Sequence, residues 1–290
     1  MAANDEHPNR LGGCAQMSIL STTGRATAAL VHDPLAATSL PPRSIAPARR
    51  TLDQLADKLT HRADVFEHAH DPRCVFTRTY AGLTRRLADS LGNGGFEDPD
   101  WVASLSVALA EPYLRALDQP GASPSGNAWH AILDAQERAD TSVAEAITLG
   151  MTTLLVQDLP NTLCKVGLHT ADGKSRIADY HALNDILGPA MEDITHSVGE
   201  RYAHRPLGTG HPHAVHMAIL TNQGIRIARS TAWYNAQRLL ESNLKQATHA
   251  ALRRWPRVVL DELRQPRRWP ERVRVRGARL VSRLTRRWPG

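Results

Sequence analysis

Residues Ser142–Gly167 read SVAEAITLGMTTLLVQDLPNTLCKVG, the longest apolar run in the chain, with one acid, Asp158, in its middle. Val143, Ile147, Met151, Leu154 and Leu155 recur at steps of three and four, the spacing of one buried helix face. Between Glu145 and Asp158 no residue is charged, so the spacing predicts a helix covered on most sides by its neighbours, the central apolar helix of a bundle. Gly, Thr, Gln and Asp interrupt the run too often for a membrane span, which needs about 20 predominantly apolar residues. Pro160 lacks an N–H and crowds the preceding turn, so a kink is expected beside Asp158. Asp158, Asn161 and the backbone groups freed by that kink are expected to form a polar knot in an apolar setting.

Outward from this stretch the pattern stays helical. Leu52, Leu55 and Leu59 mark one face. Asp71-Pro72 and Asp98-Pro99 read as helix starts, followed by Val75, Phe76, Tyr80, Leu83, Leu87 and Leu91, and by Trp101, Val102, Leu105, Leu109, Tyr113 and Leu117. A short helix with Trp129, Ile132 and Leu133 precedes the central one. Asp179–Arg201 follows it, and Ala214–Leu252 reads as a long helix or a broken pair. No stretch alternates with period two for long. The fold class is therefore all-α, an irregular multi-helix bundle over residues 51–252.

The two ends differ from this core. Residues 1–50 are rich in Ala, Pro, Ser and Thr without periodicity and read as a disordered leader. From Arg253 to Gly290 there are 13 Arg against three acids, a net of +10 where the whole chain carries +6, so the basic character belongs to a tail. That tail repeats RRWP three times, which presents Trp255, Trp269 and Trp288 beside arginines such as Arg267 and Arg268. Arginine beside tryptophan suits an anionic membrane surface, where indole sits at the interface, or nucleic acid, through phosphate contacts and stacking. Cys14, Cys74 and Cys164 are widely spaced, and no basic start with an apolar core opens the chain, so a reducing, cytoplasmic compartment is the expectation.

Five blocks occur in order: DPRCVFTRTYAGLT (71–84), GGFEDPDWVASLSVALAEPYLRAL (94–117), AWHAIL (128–133), TLGMTTLLVQDLP (148–160) and DYHALNDIL (179–187). Together they resemble the DUF5995-type helical family of bacteria, whose function is not established and whose central motif runs LGMNAHIxxDLP. This chain departs from that motif: Thr152, Thr153 and Leu154 stand where the family shows Asn-Ala-His. A His and an Asp four apart on one face can share a metal ion or a proton. Leu154 can do neither, so the resemblance also admits a diverged member without activity.

The candidate site gathers Asp158, Asn161, Asn184, Asp185, Tyr80 and Thr84. Asp158 with Asn184 and Asp185 reads as carboxylates meeting across facing helices, or as ordinary capping and core hydrogen bonding. Tyr80 and Thr84 sit one turn apart and can aim into one pocket, or pack with the phenol satisfied. His211, His213 and His216 lie within six residues, but no fourth ligand is evident, and His196 and His204 stand alone. No metal site and no cofactor is assigned. Three functional readings follow: a helical protein holding a small hydrophobic ligand in an internal pocket, or inactive; a helical enzyme using Asp158 and Asp185, with or without a divalent ion, on an isoprenoid or phosphoester; and an interaction protein acting through its tail.

Overall fold

The computed structural model describes residues 45–93, 95–119, 128–138, 141–203 and 218–264. Among them the architecture is all-α, with no strand and a single isolated bridge between His169 and Ser175. The helices are α1 (Ala46–His68), α2 (Cys74–Ser90), α3 (Pro99–Asp118), α4 (Ala128–Gln136), α5 (Val143–Thr152), α6 (Leu159–Val166), α7 (Ile177–Tyr202), α8 (Asn222–Leu240) and α9 (Ser242–Arg264). None is long and apolar enough to cross a membrane.

Their ends follow from local chemistry. At α3, Asp98 accepts from the Trp101 N–H and Pro99 occupies the first turn, as the Asp-Pro signal predicts. The other Asp-Pro pair works differently. Asp71 accepts from the backbone and side chain of Arg73, and α2 begins only at Cys74, after a tight turn. Ser142 and Glu145 form a reciprocal capping box that starts α5. At the other end of this rod Gly167 has φ 85°, a conformation that glycine adopts at no steric cost, and α6 stops there. The expected break in Ala214–Leu252 falls at Glu241, whose extended backbone (ψ 121°) separates α8 from α9.

The apolar stretch around Asp158 is one continuous helical rod, α5, then a π-helical segment at Thr153–Asp158, then α6. A π turn is the physical answer to Pro160. The Leu159 N–H donates to the Leu154 carbonyl, five residues back, so the chain widens where proline can neither donate nor accept close packing from the turn before it. Carbonyls left over are taken by side chains: Asn161 Nδ2 donates to the Gln157 carbonyl at 2.6 Å and Thr162 Oγ1 to that of Asp158 at 2.9 Å. From Ala146 to Asp158 every residue but Val156 is buried. Around the rod, α5 packs on α2, α4, α7 and α9, the π segment on α3, α8 and α9, and α6 on α3 and α8.

Helical packing extends beyond residues 51–252 at both ends. α1 begins at Ala46 with Ala48 buried, and α9 continues through the first RRWP phrase to Arg264. Pro256 inside α9 removes a helix hydrogen bond, but Leu252, Val259 and Leu260 are buried on either side of it, and that burial holds the helix together.

Candidate buried acid site

Asp158 lies at the end of the π segment, 7% exposed, where two donors from different origins reach it. Trp129 of α4 donates its indole N–H to Oδ2 at 2.6 Å, and the neighbouring Gln157 donates to Oδ1 at 3.3 Å. Burial dominates these hydrogen bonds and pushes the Asp158 carboxyl up to about 6. Rings wall the site. Phe76 meets Tyr113 edge-on at 5.1 Å, Tyr113 and Trp129 lie 4.7 Å apart, and Tyr80 stands 6.0 Å from Phe76. Gly150 makes this possible, because a Cβ there would collide with the Phe76 ring.

Within this cluster the two phenols differ. The Tyr113 hydroxyl and Thr77 Oγ1 form a 2.6 Å hydrogen bond. The Tyr80 hydroxyl is buried without a hydrogen-bond partner, and burial together with the Asp158 charge raises its pKa far above the usual phenol range. The expectation that Tyr80 packs with its hydroxyl satisfied is thus corrected. So is the pairing of Tyr80 with Thr84 hydroxyls: Thr84 Oγ1 donates to the Tyr80 carbonyl at 2.9 Å, the usual i−4 bond of a helical threonine, and does not join the phenol.

The remaining candidates are elsewhere. Asn184 is buried and accepts from Arg229 Nε at 2.6 Å, while Asp185 is exposed and pairs with Arg226 at 2.8 Å. Neither hydrogen-bonds to Asp158, and Asp185 is not among the groups that act on its pKa. The carboxylate pair expected of Asp158 and Asp185 does not form. Asn161 serves the rod's own backbone, the structural half of the expected polar knot. Trp255, expected as a tail contact, instead packs half-buried against the core. Trp269, Trp288, Arg267, Arg268, His204, His211, His213 and His216 lie outside the described residues, and among the described ones no three metal-binding side chains gather. His196 is exposed and pairs with Glu200 at 3.2 Å.

Two features escaped the sequence reading. Arg229 is 3% exposed on the inner face of α8. A shallow groove of about 450 Å³ between the start of α5 and the end of α7 is lined by Val143, Ala144, Ile147, Thr195 and Gly199.

The family model described as a family of unknown function (DUF5995) matches residues 52–262. The chain belongs to this family. No curated protein and no solved structure matches the chain. The match spans the whole set from α1 to α9, so it includes the Asp158 rod, the aromatic wall and the α7–α8 pair in one unit.

Proposed function

We propose that the chain binds a small, mainly apolar molecule carrying one hydroxyl, held between the Tyr80 phenol and the Asp158 carboxyl. The observation that carries this reading is the buried, unpartnered Tyr80 hydroxyl in the same aromatic cluster as a carboxyl whose pKa burial has raised. Leaving such a hydroxyl unpaired costs about 1–3 kcal/mol, and a ligand hydroxyl that accepts from Tyr80 and donates to Asp158 removes that cost. Four rings supply the apolar surroundings, and π-helical turns occur frequently at functional sites. Native mass spectrometry of the full chain beside Asp158→Asn and Tyr80→Phe tests it. Small-molecule mass retained by the wild type and lost in both variants is expected. The bare polypeptide mass, with nothing retained, for all three would overturn the reading.

A second reading rests on a different surface. Arg49, Arg62, Arg73, Arg78 and Arg85 each form ion pairs, whereas Arg253, Arg254 and Arg257 of α9 are exposed and form none among the described residues. These three lead directly into the basic sequence 265–290, and the combination supports docking on an anionic membrane. Vesicle binding should rise with anionic lipid, fall with salt and vanish when 265–290 are removed. Binding to single-stranded nucleic acid in preference to vesicles would replace the membrane by a polynucleotide.

A further inference from the structure

Arg229, with Asp158 and Asp179, is one of three buried charged residues among the described ones, and the one arginine of the three. It projects from α8 onto α7, where Nε donates to Asn184 Oδ1 at 2.6 Å and the guanidinium lies 4.6 Å from the centre of the Tyr180 ring. Tyr180 is fixed in turn. Its hydroxyl donates to the Arg229 carbonyl at 2.7 Å, and Trp233 lies tilted against it at 4.9 Å. The guanidinium is therefore held at its Nε edge and over a ring, while Nη2 is buried and has no partner. No carboxylate among the described residues forms an ion pair with it. The segment between α7 and α8, residues 204–217, contains no Asp or Glu that could supply one.

A guanidinium stays protonated at physiological pH, so it cannot relieve burial by giving up its charge. A ring face and one neutral amide compensate a buried cation only in part, and an uncompensated charge in the interior costs several kcal/mol. What remains without a partner is Nη2, at the terminal end of the fork whose geometry receives the oxygens of a carboxylate. The local charge is a single positive one. A monoanion neutralises it, and a dianion would leave a second buried charge unmatched. Polar residues adjoin it along the two helices: Asp185 follows Asn184 and Arg226 stands one turn before Arg229, and these two form an exposed ion pair that water and salt can open.

We propose that Arg229 and Asn184, with the Tyr180–Trp233 ring pair as their wall, form a binding site between α7 and α8 for the carboxylate of a small apolar monoacid. The site is separate from the Asp158 cluster and uses none of its residues.

The test is a thermal unfolding titration of the full chain with sodium benzoate at constant ionic strength, in a buffer free of carboxylates, with benzamide as the neutral molecule of the same shape. A saturable rise in Tm of several degrees with benzoate and none with benzamide is expected. Arg229→Met should lose the benzoate response while keeping its helical circular dichroism. If that variant does not fold, Arg229→Lys, which keeps the charge but not the fork, should weaken the apparent affinity at least tenfold. Absence of a saturable benzoate effect on the wild type, an equal effect of benzamide, or an undiminished response in Arg229→Met or Arg229→Lys overturns the proposal.

Discussion

Asp158 and Arg229 both sit in the interior without an opposite charge beside them, yet the molecule treats them differently. Asp158 is surrounded by donors, Trp129 and Gln157, and by rings, and it can meet the cost of burial by keeping its proton. Arg229 has no such route, so its neighbours must supply electron density from the Tyr180 face and the Asn184 oxygen. Burial alone therefore does not mark a binding site. A buried carboxyl is self-sufficient below its raised pKa, whereas a buried guanidinium is incomplete at every pH.

The largest effect should come from dismantling the wall of the acid site. Trp129 is fully buried, touches Phe76 and Tyr113 and donates to Asp158, so Trp129→Ala should destabilise by about 4 kcal/mol in urea unfolding. A cost below about 1 kcal/mol would mean that the cluster is not a packed core. Next is the pH dependence. Asp158 binds its proton more tightly in the folded chain than in the unfolded one, so the folded state takes up protons between the ordinary carboxyl range and about 6. Its contribution is most favourable below that window and declines as pH rises through it, by on the order of 3 kcal/mol in total. Asp158→Asn should flatten this part of the stability–pH curve, and an unchanged slope would show that another group carries it.

Asp158 was legible because a lone acid in an apolar run is conspicuous, and the kink at Pro160 was legible because proline's chemistry is local. The widening into a π segment was not, since it depends on which carbonyl the Leu159 N–H selects. Asn184 and Asp185 carried a readable warning. Neighbours on a helix point about 100° apart, so both cannot face the same partner, and the bundle buries the first and exposes the second. Arg229 was also marked in principle. Ile225, Ala232, Trp233, Ala236 and Leu239 trace the buried face of α8, and position 229 falls on it, one turn after Ile225. Its charge concealed it among the arginines of that helix. The pairing of Arg229 with Tyr180 and Asn184 needs the packing of α8 on α7, and no local pattern encodes it.

The cation site can be removed cleanly only if both polar partners go. Arg229→Met alone leaves the Asn184 oxygen buried without its donor, which offsets the gain from deleting the charge. Arg229→Met with Asn184→Leu replaces the pair by apolar groups of similar size, and it should stabilise the chain by about 2 kcal/mol in carboxylate-free buffer. The same double variant in saturating benzoate should be no more stable than the wild type, because ligand binding supplies the wild type with what the substitution supplies the variant. A double variant that loses stability in both buffers would show that Arg229 is compensated by the folded chain itself.

The smallest effect separates structure from ligand at the acid site. Tyr80→Phe deletes the unpartnered hydroxyl and leaves the ring against Phe76 and Tyr113. In protein freed of small molecules the change should stabilise by about 1 kcal/mol, since no hydrogen bond is lost and a buried polar atom disappears. It should also move the Asp158 titration only slightly, because the phenol stays neutral throughout the range in which the carboxyl ionises and the Trp129 and Gln157 donors remain. A loss of stability instead would reveal a partner for the phenol in solution, a bridging water held by Asp158 being the simplest, and the hydroxyl would then belong to the fold. A gain of stability joined to loss of retained ligand mass would place the hydroxyl in the opposite role: a group the fold keeps at a cost because the ligand needs it.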